Sequence, residues 1–213
     1  MSARKPRAPW RIFAGLMPEN RAIALVASHC DIVERLEVVP PSAQVRGVWI
    51  RAIERQLSKR GRLDVYRDYF PDDQYSALGF YPLADCLVRL ASAGAIIASP
   101  ARVHEGMSII MRGNAEAFMD TLLGRVMLRV LSRDPVKLFE QGIAARRQSC
   151  TYGRWELRQV RERELEIVQL DEYCWIESAL AGAAAGTFAS CGLVGEVHTK
   201  LVDRFNGSIF LRW

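Results

Sequence analysis

The sequence predicts an α+β protein in which an N-terminal helical layer precedes an antiparallel sheet unit. Three observations support this fold class. Apolar residues recur at helical spacing from about residue 42 to 147, apolar and charged residues alternate within 150–213, and the uncharged segment 178–195 separates two alternating stretches. Recurrence every three or four residues indicates a helix, whereas alternation indicates a half-buried strand. A sheet with one apolar face needs a second apolar layer, which the preceding helices can supply.

The helical part contains several segments with a single apolar face. The first begins after Ser42, a residue type that often caps helix N-termini. Its apolar face consists of Val45, Val48, Trp49, Ala52, Ile53 and Leu57. Further helices are predicted after Pro82, after Ser99-Pro100, over 118–130 and after Asp134-Pro135.

The C-terminal part predicts the order β-β-α-β-β. Trp155 and Ile167 belong to two alternating stretches on either side of a polar turn at 161–164. A helix rich in Ala and Gly follows over 173–191. The closing strand pair surrounds Asn206-Gly207, a dipeptide typical of β-hairpin turns.

Residues 1–20 are predicted to form a basic, flexible arm, and residues 21–213 a single α+β domain. The chain has a net charge of +5, and its first 21 residues contain five Arg and Lys residues but one acidic residue. The body is therefore nearly neutral. This argues against nucleic acid as a partner, because phosphate binding needs a basic face on the folded domain. No secretory signal is recognisable near Met1, so we expect the protein in the cytoplasm.

The five cysteines are widely spaced, and none belongs to a Cys-x-x-Cys pair. They are Cys30, Cys86, Cys150, Cys174 and Cys191. This spacing predicts free thiols and neither a disulfide framework nor a metal site. The segment 178–195 lacks charge but consists mostly of small residues, so stable membrane insertion is not predicted.

No motif in the chain predicts catalysis. His104-Glu105 lacks the second histidine of a His-Glu-x-x-His helix, and Ser108 is not followed by the last glycine of a Gly-x-Ser-x-Gly turn. Glu and Arg residues alternate over 154–166, which is typical of a solvated sheet face rather than of a paired acid and base. We therefore expect a protein that is not an enzyme and that carries no cofactor.

Four short motifs resemble those of a myxobacterial paralogous family of uncharacterised proteins. The motifs are Val45-Arg46-Gly47-Val48-Trp49, Tyr81-Pro82-Leu83, Leu122-Leu123-Gly124-Arg125 and Arg133-Asp134-Pro135. The resemblance extends from about residue 31 to the C-terminus. The motifs are structural, so the resemblance implies a shared fold without implying a chemistry.

More remotely, the order of elements resembles a fold shared by three groups of proteins. These are the haem nitric-oxide/oxygen-binding sensors, the 4-vinyl-reductase-type domains and the small subunits of the TRAPP vesicle-tethering complex. The resemblance implies a ligand-binding domain of the NO-signalling and Golgi-transport type, with a ligand or partner in or beside the space between layers. The haem sensors carry a proximal histidine before the sheet and a Tyr-x-Ser-x-Arg pattern. Residues 133–137 contain no histidine and 154–158 lack that pattern, so a haem-free protein is expected.

Two functions fit these observations. The first is a non-catalytic small-molecule sensor or signalling adaptor with an apolar pocket between the layers, for which the small residues 183–186 leave room. The alternative is a protein-interaction or scaffolding module with a filled core, in which the same residues let the helix pack directly on the sheet. The partner would be a small apolar molecule, another protein or a second copy. The predicted ligand-binding residues are Phe118, Leu122, Trp155, Ile167, Ala184 and Phe188.

Overall fold

The structure is a computed structural model that describes residues 18–71, 74–119, 121–131 and 134–213. The described residues combine helices with antiparallel sheet, so the predicted mixture of helix and antiparallel strand is confirmed. The predicted arm falls largely on residues 1–17, which lie outside the described residues. The first helix already begins at Pro18, within the segment that was predicted to be the arm.

Nine α-helices are present in the described part of the chain. They are α1 (Pro18–Val26), α2 (Ile32–Val38), α3 (Gly47–Lys59), α4 (Leu63–Arg67), α5 (Leu83–Ala98), α6 (Val103–Met119), α7 (Leu122–Leu131), α8 (Pro135–Ser149) and α9 (Ala181–Ser190). Helix α5 is almost entirely buried and packs against α1, α3 and α6. It crosses α6 where Gly94 meets Gly106, since a side chain on Gly106 would overlap the backbone of Gly94. These two glycines allow the two long helices to lie in close contact.

A short sheet within the helical part was not predicted. Strand β1 (Gln44–Arg46) pairs antiparallel with β2 (Phe80–Pro82), and Val45 lies opposite Tyr81. Val45 was predicted to lie on the helix that follows Ser42, but α3 begins only at Gly47. The apolar pattern could not distinguish the two, because Val45 is buried in the strand as it would be on the helix.

The larger sheet contains four antiparallel strands in the order β3-β4-β6-β5. The strands are β3 (Arg154–Arg161), β4 (Glu164–Leu170), β5 (Glu196–Leu201) and β6 (Gly207–Arg212). The buried face presents Leu165 and Ile167 of β4 beside Leu211 and Ile209 of β6. The opposite face carries ion pairs such as Arg158–Glu166 and Arg212–Glu164, in agreement with the predicted solvated face.

The segment between β4 and β5 forms two helical pieces where one helix was predicted. A π-helical turn, Ile176–Leu180, follows the fully buried Trp175 and leads into α9, which lies between α6 and the sheet. The loop at 202–206 joins β5 to β6 and contains Asn206 of the predicted turn dipeptide. Asn206 binds the Asp203 carboxylate with its side-chain amide, and Gly207 is the first residue of β6.

Candidate functional site

The small residues of α9 bring this helix against α6. A side chain on Gly182 would overlap the carbonyl oxygen of Ser108, and one on Gly186 would overlap that of Arg112. The two backbones are therefore in contact, and these glycines leave no room for a ligand on the α6 side of α9.

The opposite side of α9 is closed by aromatic packing. Phe188 is 3% exposed, and its ring centroid lies 6.0 Å from that of Trp213 in an edge-on arrangement. Gly195 also touches the Phe188 ring, because a side chain there would lie 2.8 Å from Cε1 of Phe188. Ala184 is buried on the same helix.

The structure brings together some of the predicted ligand-binding residues. Trp155 and Ile167 lie on the buried face of neighbouring strands, and Ala184 and Phe188 are buried on α9. Phe118 and Leu122 lie at the α6–α7 junction and are 39% and 75% exposed. The six residues therefore do not line one common space here, and a ligand-binding role for them stays a prediction.

A buried polar cluster lies at the end of the sheet next to α8. The Glu172 carboxylate accepts hydrogen bonds from Arg146 Nη2 at 2.6 Å, Trp155 Nε1 at 2.7 Å and the Cys174 backbone N–H at 3.0 Å. Burial alone would lower the pKa of Arg146, but the neighbouring Glu172 carboxylate outweighs it and the pKa is raised. The ion pair is thus fully compensated, as buried charges require.

Gln169 lies beside this cluster, and its buried side-chain amide has no compensating hydrogen bonds. It is fully buried on β4, opposite Trp155 on β3. Both atoms of its side-chain amide, Nε2 and Oε1, lack a hydrogen-bond partner. Such a group normally binds a partner or an ordered water, because leaving it unpaired costs free energy.

A second buried arginine connects α2 to the loops beside the sheet. Arg35 donates to Asp31 Oδ1 and to the Tyr173 carbonyl, both at 2.9 Å, and its guanidinium lies 4.9 Å from the Trp175 ring centroid. The Trp175 indole N–H donates to the same Asp31 oxygen at 2.7 Å. Burial by itself would raise the pKa of Asp31, but the bonds and charges of Arg35, Trp175 and Arg204 outweigh it and lower the pKa. Asp31 is therefore held as a carboxylate.

A surface cleft of about 350 Å³ opens beside the Arg35 contacts. It lies between α2 and the two loops that contact Arg35, outside the layer interface, and its walls carry four carboxylates. The lining residues are Glu34, Glu37, Val38, Asp171, Tyr173, Asp203, Arg204, Phe205 and Asn206. A cleft of this composition suits polar or cationic groups better than the apolar molecule predicted from the sequence.

His104 is the histidine with neighbours suited to catalysis, but the geometry does not fit a catalytic triad. Its Nδ1 lies 3.1 Å from Ser178 Oγ and 3.8 Å from Glu177 Oε1. In a triad the nucleophile and the acid bind different ring nitrogens. Here both face the same nitrogen, so this group does not support nucleophilic catalysis.

The described histidines and the two most buried thiols are poorly placed to serve as axial haem ligands. Haem iron needs an axial histidine, thiolate, methionine or tyrosinate ligand. His29 and His198 are exposed, and the half-buried His104 binds Ser178. Burial raises the pKa of Cys86 and Cys174, so both remain thiols.

The sequence between 39 and 213 matches a family model described as a protein of unknown function, DUF2378. This match covers most of the chain. The chain belongs to the DUF2378 family. A comparison of the DUF2378 sequence with curated proteins found no match.

Several solved structures resemble the DUF2378 fold. The unliganded Fe(II) H-NOX protein from K. algicida has a TM-score of 0.60 at 11% identity, covering 78% of this chain and 95% of that one. An H-NOX protein from S. oneidensis has a TM-score of 0.55 at 6% identity, and the match covers 78% of this chain and 95% of that one. A mutant of T. tengcongensis H-NOX has a TM-score of 0.52 at 15% identity, and the match covers 78% of this chain and 93% of that one. At these identities the likeness shows the fold alone, and it agrees with the predicted remote similarity to haem-sensor proteins.

Sequence reasoning missed the buried polar residues that connect the helices of the DUF2378 fold to the end of its sheet. The signal for Arg35 was available, since Asp31 and Arg35 are four residues apart and Arg35 lies among apolar residues of α2. Gln169 continues the alternation of Leu165 and Ile167 on the buried face of β4, but this alternation does not indicate that its side-chain amide lacks a partner. Glu172 and Arg146 are far apart in sequence, and no local pattern indicates their pairing.

A helix that spans a membrane needs sufficient length and a sufficiently apolar composition. Within the described ranges, no single helix is long and apolar enough to span a bilayer. The pair α5 with residues 100–119 would suffice by these two criteria alone, but it is bent by 111°.

Proposed function

We propose that this chain is a non-catalytic signalling adaptor with the H-NOX-like fold, that it works without haem, and that it acts through its surface. The observation that supports this most is the position of α9. Gly182 and Gly186 lie against the α6 backbone, while Phe188 and Trp213 pack on the other side. An interior filled in this way leaves the surface as the place where partners are recognised.

The proposal treats the C-terminal part as a β-β-α-β-β unit of the type found in ligand-binding domains of NO-signalling and Golgi-transport proteins. The order of β3, β4, α9, β5 and β6 along the chain supports this assignment. The five thiols are free in the structure, which fits a reducing bacterial cytoplasm. The partner would be another protein or a second copy of the chain, not nucleic acid.

A second candidate function is a sensor that binds a small apolar molecule between the layers. Gln169 supports it, because a buried amide without partners marks a position where a bound group could form hydrogen bonds. Trp155 and Ile167, both predicted from the sequence, are its neighbours on the buried sheet face. A ligand there would need the layers to separate further than they do in this structure.

Native mass spectrometry of the protein purified from its own host distinguishes the two functions. The adaptor predicts the mass of one or two polypeptides without any added small molecule, at every collision energy that preserves the fold. The sensor predicts an additional small mass that is lost on denaturation. A stoichiometric retained molecule would therefore replace the adaptor by the sensor as the better account.

A further inference from the structure

The outer edge of β5 is unpaired in the described part of the chain. The sheet order β3-β4-β6-β5 places β5 at one end, with β6 on one side only. Its free N–H and C=O groups can therefore pair with another strand. The opposite edge, β3, is less suited to pairing because its register is interrupted between Gln159 and Arg161 and its charges form pairs within the chain.

The solvent face of β5 and its flanks carries a self-complementary pattern. Val194 and Val202 are 92% and 82% exposed, and between them Glu196, His198 and Lys200 are also exposed. The order is apolar, acidic, His, basic, apolar at every second position. Neither Glu196 nor Lys200 forms an ion pair with any described residue of the chain. Two large apolar side chains and two unpaired charges thus surround one free edge.

We propose that β5 pairs antiparallel with β5 of a second copy around a two-fold axis at His198, joining the two sheets into one of eight strands. Antiparallel pairing about His198 places Glu196 opposite Lys200 of the second copy, and Lys200 opposite its Glu196. The same register places Val194 opposite Val202 of the second copy, and the reverse. Four of the five exposed residues of the pattern then have a complementary neighbour across the interface, and His198 lies opposite its own copy on the axis.

Other registers lose this complementarity. An axis at Val197 or Thr199 removes both charge pairs, whereas an axis at Glu196 or Lys200 places like charges opposite each other. A shift by a single residue would align the solvent face of one sheet with the buried face of the other. The charges therefore select one register as well as one partner.

A second copy also fits better than an unrelated strand. The pattern over 194–202 is complementary to itself when it is read in the opposite direction, as a two-fold contact between identical surfaces requires. A different peptide would need a similar sequence to pair equally well. Pairing of β5 with β3 of another copy would leave free edges and extend into a filament, and the interrupted register of β3 opposes it. The closed dimer pairs the free edge of β5, both exposed valines and both charges of the pattern.

Charge-reversal variants of the full chain test the interface by sedimentation velocity over a range of concentrations. We expect a monomer–dimer equilibrium for the wild type. Glu196→Lys and Lys200→Glu each turn two attractive pairs into repulsive ones, and each should weaken dimerisation by about tenfold or more. The double variant Glu196→Lys/Lys200→Glu restores both pairs in reversed order and should regain a dissociation constant close to that of the wild type.

Glu162→Lys is the matched control, because it makes the same charge change at the exposed β3–β4 turn. It should dimerise like the wild type, and circular dichroism should show that all variants are folded. A wild type that remains monomeric at every concentration would overturn the proposal. So would a dimer that either single reversal leaves intact, or a double variant that remains as weak as the singles, since the contact would then lie elsewhere. These results do not depend on whether the chain also retains a ligand.

Discussion

At the scale of single residues, the interior of this protein is organised by buried arginines paired with carboxylates. Arg35 and Arg146 are 2% and 7% exposed, and each contacts both an acidic group and aromatic rings. Their partners, Asp31 and Glu172, also accept the indole N–H groups of Trp175 and Trp155. Since every charge is bonded, these clusters fix side-chain positions without leaving an uncompensated ion. Gln169 differs from these arginines, because its buried side-chain amide has no hydrogen-bond partner.

Replacing Gln169 by leucine should stabilise the protein. The substitution removes an amide that has no partner and keeps an apolar volume, so the free energy of unfolding should rise by about 1–2 kcal/mol in urea denaturation. Gln159→Leu is the control, since Gln159 is exposed on β3 and should change stability by less than about 0.5 kcal/mol. A clear loss of stability in Gln169→Leu would mean that the amide is bonded to a water or ligand after all.

At the scale of elements, the sequence predicted the kinds of structure better than their contacts. The alternation around Trp155 and Ile167 correctly located two strands, and the small residues of 181–190 correctly located a helix. The surface against which that helix packs could not be predicted, because small residues permit close approach to any neighbour. The structure gives α6 as that neighbour at Gly182 and Gly186, where the sheet had been expected.

Adding a methyl group to α9 should therefore have the opposite effect from adding one to α8. Gly186→Ala forces a Cβ into the backbone of Arg112 and should cost on the order of 1–3 kcal/mol. Gly142→Ala lies on an exposed helical position with nothing within 4 Å and should stabilise by about 0.5–1 kcal/mol. Thermal unfolding monitored by circular dichroism measures both. Equal effects of the two substitutions would contradict the close α9–α6 contact.

At the scale of the whole molecule, Asp31 and Arg35 connect the helical layer to the loops at the end of the sheet. The folded-state pKa of Asp31 is lowered from its ordinary value of 3.8. A lowered carboxylate pKa contributes stability that is complete above the ordinary value and is lost as pH falls through the lowered one. The connection between the layers should therefore weaken in acid.

Asp31→Asn should remove this pH-dependent contribution. Near neutral pH the variant should lose about 1–3 kcal/mol, because Arg35 keeps its burial but loses its charged partner. The stability difference from the wild type should shrink as the pH falls below 3.8, as measured by urea unfolding at a series of pH values. Asp68→Asn, on the exposed end of α4, should follow the wild-type profile. A difference in unfolding free energy that stays constant with pH would show that Asp31 stabilises the protein by packing and not by its charge.

The mixed fold class and the remote likeness to haem sensors could be predicted from the chain, whereas most of the contacts at the junction between its layers could not. Periodicity reports which side of an element is buried, and it predicted Ile167 and Phe188 as interior residues. Pairs such as Arg146–Glu172 arise only when distant segments meet, and a buried charge has no periodic signature. Phe118 and Leu122 belong to a segment with helical spacing of apolar residues but are 39% and 75% exposed, since such residues also occur on exposed surfaces.

The proposed function requires that this H-NOX-like fold works without haem. Titration of the purified chain with ferric haem, followed by absorbance and gel filtration, tests it most directly. No histidine lies free inside the fold and the buried thiols stay protonated, so we predict no saturable Soret band that travels with the protein. A Soret band that saturates at one haem per chain and survives gel filtration would contradict the account.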